Sequence, residues 1–145
     1  MCGNADGSDI LPPFVVGKSA KPWAFKGKTG AQLGFCYCNN VKAWMILILF
    51  EEWLEEWNHM LKAQSQHVLL WVDNFSGHTV PTSYMNIHVE IFLPSLTSHV
   101  QPMDAGIIQC FKAHYHKLFI AHSIDQYDVG IHPLKIYEIN QLEAM

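Results

Sequence analysis

Apolar and polar positions along the chain change their period several times, and each change marks an element. Leu47, Phe50, Leu54, Trp57 and Leu61 recur three or four apart while Glu51, Glu52, Glu55 and Glu56 fill the opposite side, which predicts an amphipathic helix. From His67 through Val72 the chain is apolar without alternation, the pattern of a strand covered on both faces, and it stops at Asp73-Asn74. A second buried strand is expected over Val89 to Leu93, where Pro94 ends it, with a short helical segment over Val80 to Asn86 before it. Beyond a loop from Ser95 to Pro102, the spacing of Ile107, Ile108, Phe111, Tyr115, Leu118 and Phe119 predicts a second long amphipathic helix that starts at about Asp104.

Nearer the start, Gly3 to Ser8 is rich in turn formers, and Leu11-Pro12-Pro13 leads into the β-branched strand Phe14-Val15-Val16. The reading is a hairpin turn whose first strand is cut to its last few residues. Between Gly17 and Gly34 lysines, glycines and single aromatics follow no period, as in a surface insertion. The order strand, helix, strand, short helix, strand, long helix is an α/β order, and 145 residues suffice for one core. Periodicity weakens after residue 124, so residues 1–124 read as the domain and 125–145 as a tail.

Composition narrows the function classes. The longest apolar stretch, Ala43 to Phe50, falls far short of the roughly 20 residues of a membrane helix, and no basic-then-apolar leader follows Met1, so the expectation is a soluble intracellular protein with no membrane partner. Cys2, Cys36, Cys38 and Cys110 lack the spacing of a zinc knuckle and read as free thiols. A net charge of −4 has the wrong sign for gripping DNA through bulk electrostatics, so any nucleic-acid role must be local. All nine basic residues are lysine and none is arginine.

The candidate chemistry lies at element ends. Asp73 closes a buried strand and Asp104 opens a helix 31 positions later, where carboxylates can converge at the carboxyl edge of an α/β sheet and offer hard oxygen ligands to a divalent ion. Taken alone, each reads equally as a turn former or a helix cap. The four glutamates of the first helix read as a solvated face without chemistry.

The segments around these aspartates sharpen the picture. Asn4-Ala5-Asp6-Gly7-Ser8, Leu11-Pro12-Pro13, Val16-Gly17-Lys18-Ser19, Lys42-Ala43-Trp44-Met45 and Phe50-Glu51-Glu52-Trp53-Leu54 come first in order. They are followed by Val72-Asp73-Asn74 with His78, by Phe92-Leu93-Pro94, by Thr97 through Gly106, and by Phe111-Lys112-Ala113-His114-Tyr115. Together they resemble the DDE superfamily endonuclease domain of pogo, Tigger and Jerky-like transposases over nearly the whole chain, most closely the copies from fungal genomes.

That resemblance implies a ribonuclease H-like mixed sheet with flanking helices, its first, central strand missing together with the aspartate that strand carries. It places the second and third catalytic, metal-binding aspartates at Asp73 and Asp104, with Asn74, His78 and His99 as supporting polar groups, the two histidines reading equally as plain hydrogen-bonders of their loops. Asp6 matches the turn of the next hairpin and does not replace the missing acid. The implied chemistry is in-line phosphoryl transfer with two Mg²⁺ or Mn²⁺ ions, on DNA at transposon ends, in the nucleus. Since the shared bridging carboxylate is the absent one, a catalytically inactive, truncated transposase is expected. Cys38, His88, Gln109, His116, His122 and Gln126 stand where the family commonly shows arginine, and C-to-T or G-to-A transitions convert arginine codons to these residues, as in a decaying, pseudogene-like element. The alternative is a domesticated, non-catalytic module that binds DNA or protein.

Overall fold

A computed structural model describes residues 1–78, 83–93 and 101–139. The chain divides into two compact units, Met1–Leu70 with Phe75–Glu90, and Trp71–Asn74 with Ile91–Met145. Its secondary structure is mixed α/β, with two two-stranded sheets.

In the first unit the turn forms as its residues predict. The Asn4 N–H donates to the Asp9 carbonyl at 2.9 Å, and Gly3 and Ile10 form an antiparallel bridge. Strand β1, Phe14–Gly17, then pairs in parallel with β2, Cys36–Asn39, in the register Phe14 to Cys36 through Gly17 to Asn39. β2 has no forerunner in the sequence pattern, because four residues ending in asparagine carry too little apolar alternation.

The segment joining these strands is not the core-free insertion its composition suggests. Single turns of 3-10 helix at Trp23–Phe25 and Ala31–Leu33 fold it back, and Ala24, Phe25 and Phe35 are buried. The Phe25 ring meets Phe35 edge-on at 5.6 Å and Tyr37 at 4.9 Å. Gly30 is needed for this closure: a Cβ there would lie 2.8 Å from both the Phe35 carbonyl oxygen and the Tyr37 Cβ.

Helix α1, Leu47–Ala63, forms where the three-and-four spacing places it and buries Phe50, Leu54 and Leu61. Glu52, Glu55 and Glu56 lie exposed, as expected of a solvated face. Asn86 ties this helix to the segment between it and the next strand: its backbone N–H donates to Asn58 Oδ1 at 2.9 Å, and its Nδ2 donates to the Gln66 carbonyl at 2.7 Å.

Strand β3, Val68–Val72, pairs with β4, Ile87–Ile91. The Val68 N–H donates to the Asn86 carbonyl and the Phe92 N–H to the Val72 carbonyl, both at 2.9 Å, so the two strands run parallel. Two expectations are corrected here. β3 is covered on one face only, since Leu69 and Trp71 remain 55% and 49% exposed while Val72 is buried. β4 starts two residues earlier than the apolar run suggests, because Ile87, not Leu93, points into the core: Ile87 is buried and Leu93 exposed. Residues 83–86 form no helix, which removes the described part of the short helix; its residues 80–82 and the loop 95–100 lie outside the described residues.

In the second unit a π-helical turn, Met103–Ile107, runs directly into helix α2, Ile108–Asp128. The inward stripe of α2 differs from the predicted one. Tyr115 and Phe119 are half-buried and Ser123 is buried, whereas Phe111 and Leu118 stay exposed. The chain then turns back so that Tyr137 stacks on Phe119 at 6.2 Å and Ile136 is buried.

Candidate functional site

Asp73 follows the last residue of β3, whose carbonyl is already engaged by the Phe92 N–H, so the strand end that carries it is fixed. Its side chain is half-buried, and the neighbouring Asn74 is exposed. Asp104 is the second residue of the π-helical turn, exposed, with its N–H donating to the Gln101 carbonyl at 3.1 Å. Such wide turns are uncommon and recur at functional positions. Gln101, one turn earlier, keeps its Oε1 buried with no hydrogen-bond partner among the described residues. Both aspartates thus stand at element ends, where the apolar pattern puts them, and both belong to the second unit.

Carboxylate oxygens are the right donors for a hard divalent cation. Among the described residues, however, no three histidine, cysteine, aspartate or glutamate side chains gather closely enough to hold a metal ion.

His78 ends a 3-10 turn, Ser76–His78, in the first unit. Its ring lies 4.6 Å from Phe50 and 5.3 Å from Phe75, inside an aromatic row that continues through Trp53 to Trp57 on one side and from Phe75 to Trp44 on the other. Its position is half-buried. His99 lies outside the described residues.

Titration of the surrounding groups reflects burial and the acidic face of α1. Burial, followed by Glu52, Cys36 and Glu56, pushes the Cys38 thiol up, and burial with Glu51 and Glu55 does the same to the Tyr84 hydroxyl, which donates to the Glu51 carbonyl at 3.4 Å. Cys2, Cys36, Cys38 and Cys110 are all free thiols.

One loop was not marked out by the sequence pattern. Asn40 Oδ1 accepts from the Lys42 N–H at 3.1 Å and the Trp44 N–H at 3.2 Å, while its Nδ2 donates to the Trp44 carbonyl at 2.6 Å. Ala43 sits in left-handed backbone, φ 50°, inside this clamp. The sequence offers there the family-like segment Lys42-Ala43-Trp44-Met45 and an asparagine four residues before the tryptophan, neither of which declares the clamp.

Known proteins bear directly on these residues. A 117-residue match to mouse Tigger transposable element-derived protein 4 is 32% identical and covers 81% of this chain and 22% of that protein. Human major centromere autoantigen B is 36% identical over 121 residues, 83% of this chain and 19% of its own length. ARS-binding protein 1 of Schizosaccharomyces pombe is 28% identical over 143 residues, 92% of this chain and 27% of its own length. The chain therefore spans only 19% to 27% of the length of these relatives. No solved structure matches it. With the model of the DDE superfamily endonuclease domain matching residues 1–144, a span that takes in Asp73 and Asp104, the chain belongs to that family.

Proposed function

We propose that residues 1–145 form a transposase-derived domain that associates with DNA, in its origin the ends of a transposable element, inside the nucleus, and that by themselves they do not cut it. The observation that carries this reading is the family match over residues 1–144, a span in which Asp73 and Asp104 each stand at an element end. On this reading Asp73 and Asp104 are the second and third acids of a metal-dependent phosphoryl-transfer centre, Asn74 and His99 support them, and Mg²⁺ or Mn²⁺ is the ion they would hold once a third carboxylate joined them. His78, whose ring also packs on Phe50 and Phe75, is read as a third supporting group. The domain is read as residues 1–124, with 125–145 a tail, and its sheet as ribonuclease H-like without the first strand.

Two carboxylates without the bridging one bind divalent metal weakly and in the wrong geometry. Purified residues 1–145 are expected to leave supercoiled plasmid intact in Mg²⁺ or Mn²⁺. Nicking that vanishes in Asp73→Ala would overturn the inactive reading.

A second reading, a domesticated module retained for binding, is favoured by the names of two relatives, one a centromere autoantigen and the other an ARS-binding protein. Terminal inverted repeats in the flanking nucleotide sequence separate the two: a decayed element carries them and a domesticated gene does not. The complete lack of arginine supports decay.

A further inference from the structure

Charge is unevenly distributed along the chain. No acidic residue lies between Asp9 and Glu51, and that interval holds Lys18, Lys21, Lys26, Lys28 and Lys42; the remaining four lysines face all thirteen acids. All five lysines of the interval are exposed. A net charge of −4 therefore conceals a basic segment.

The fold holds that segment in a defined shape. Tyr37 donates its hydroxyl to the Ser19 carbonyl at 2.7 Å, anchoring the Lys18–Lys21 loop to β2. Phe25, packed on Tyr37 and Phe35, anchors the next turn, where the Lys26 N–H donates to the Trp23 carbonyl at 3.1 Å and the Lys28 N–H to the Phe25 carbonyl at 2.9 Å. At the carboxyl end of the parallel pair, the Asn40 N–H donates to the Gly17 carbonyl at 3.0 Å. Lys18 and the clamped Asn40–Trp44 loop accordingly leave from the same end of the sheet. Two indoles stand beside the lysines in sequence, Trp23 at 80% and Trp44 at 62% exposure.

The acidic face of α1 does not cancel this charge. Alternate residues of a strand point to opposite faces. Glu52 and Glu56 act on Cys38, whereas Tyr37, the residue before it, takes the lysine loop on its own side.

We propose that residues 18–44 form a docking surface for unpaired DNA, with the five lysine ammonium groups on backbone phosphates and the Trp44 indole, aided by Trp23, stacked on bases. The assignment rests on the DNA-associated reading above and adds to it the place of contact and the form of the nucleic acid. Phosphate neutralisation by lysine is sequence-independent and salt-sensitive, and base stacking on an exposed indole requires an open strand.

The test is fluorescence anisotropy of residues 1–145, fused at Met1 to the strand that precedes this region in a full-length relative and shown monodisperse, with a labelled oligothymidylate and a duplex of equal length, about 20 nucleotides, over a salt series. Replacing the five lysines together by glutamine should flatten the slope of log affinity against log salt by about 0.7 per lysine for the single strand. Replacing them by arginine should retain it. Trp44→Ala should weaken single-strand binding about tenfold and leave both the salt slope and the duplex unchanged. Lys112→Gln with Lys117→Gln and Lys135→Gln is the control and should change little. Wild-type chain that binds neither oligonucleotide sinks the DNA reading itself. Binding that survives the five glutamines, or is lost equally in the control, overturns the assigned surface, and a silent Trp44→Ala overturns the stacking.

Discussion

The Asp6 carboxylate accepts from the Ser8 N–H at 3.0 Å and from the Ser8 hydroxyl at 2.7 Å, and these bonds, the backbone one first, hold its pKa below the ordinary aspartate value. A group depressed in the folded state contributes stability that is present above its unfolded pKa and is lost as pH falls through the folded one. The loss therefore belongs to the acid side, below about pH 4. A carbon-detected NMR titration should find the Asp6 midpoint below that of an unstructured aspartate, and Ser8→Ala should raise it; a midpoint unmoved by Ser8→Ala would contradict the assignment. This turn role is legible in Asn4-Ala5-Asp6-Gly7, because the bonds are local. The packing of His78 on Phe50 is not, since the two lie 28 residues apart and no period links them. Asp73 and Asp104 fall between these cases. Their positions at element ends reflect where the apolar runs stop, whereas their grouping as acids of one centre rests on the family pattern.

Elements show the same division between local and distant causes. Helix α1 has the length and spacing for a stripe to declare itself, and Phe50, Leu54 and Leu61 are buried as that spacing requires. The strands have four or five residues each, too few for a period to fix their ends, so β2 leaves no trace and β4 is displaced by two. The three-and-four spacing in α2 is real but misleading: Leu118 fits the apolar stripe yet is 70% exposed, because what packs there is the returning chain at Ile136 and Tyr137, which selects Tyr115, Phe119 and Ser123 instead. Where an element depends on one polar link, its stability is open to test. Asn86 is 5% exposed and joins α1 to the start of β3 through Asn58 and Gln66. Asn86→Ala leaves the Gln66 carbonyl without that donor and should cost about 1–3 kcal/mol in denaturant unfolding. Asn58→Ala should lose less when made in the Asn86→Ala background only if the side-chain bonds of Asn86 cooperate with its backbone bond, so the double-mutant cycle reads that coupling directly. A near-neutral Asn86→Ala would show that water replaces the donor. Gly30→Ala is the backbone counterpart: its Cβ would press on the Phe35 carbonyl and Tyr37, and loss of the near-ultraviolet aromatic signal should accompany destabilisation.

Among the described residues each sheet has two strands, so each of the four strands has one hydrogen-bonded neighbour there. Two-stranded sheets are marginal alone and depend on what covers them. Cover is sparse: among the described residues the buried apolar side chains are few, Leu54 is the one large side chain fully enclosed, and Leu69, Trp71, Phe111 and Leu118 are exposed. Open strand edges and uncovered apolar faces favour association over folding. In the ribonuclease H-like reading a further strand would lie between the hairpin ending at Gly17 and the strand at Val68–Val72, supplying partners where unmade buried bonds cost about 1–3 kcal/mol apiece. A domain holds only about 5–15 kcal/mol in total, so a few such losses decide the outcome. Residues 1–145 expressed alone are therefore expected to unfold over a broad temperature range, to bind hydrophobic dye strongly and to aggregate. Fusing to Met1 the strand that precedes this region in a full-length relative should sharpen the transition and improve solubility, even when the aspartate of that strand is replaced by alanine, because the deficit is one of pairing and not of charge. A monodisperse sample of residues 1–145 with one sharp, cooperative calorimetric transition would show that the two short sheets suffice, and this account of the molecule's stability would fail.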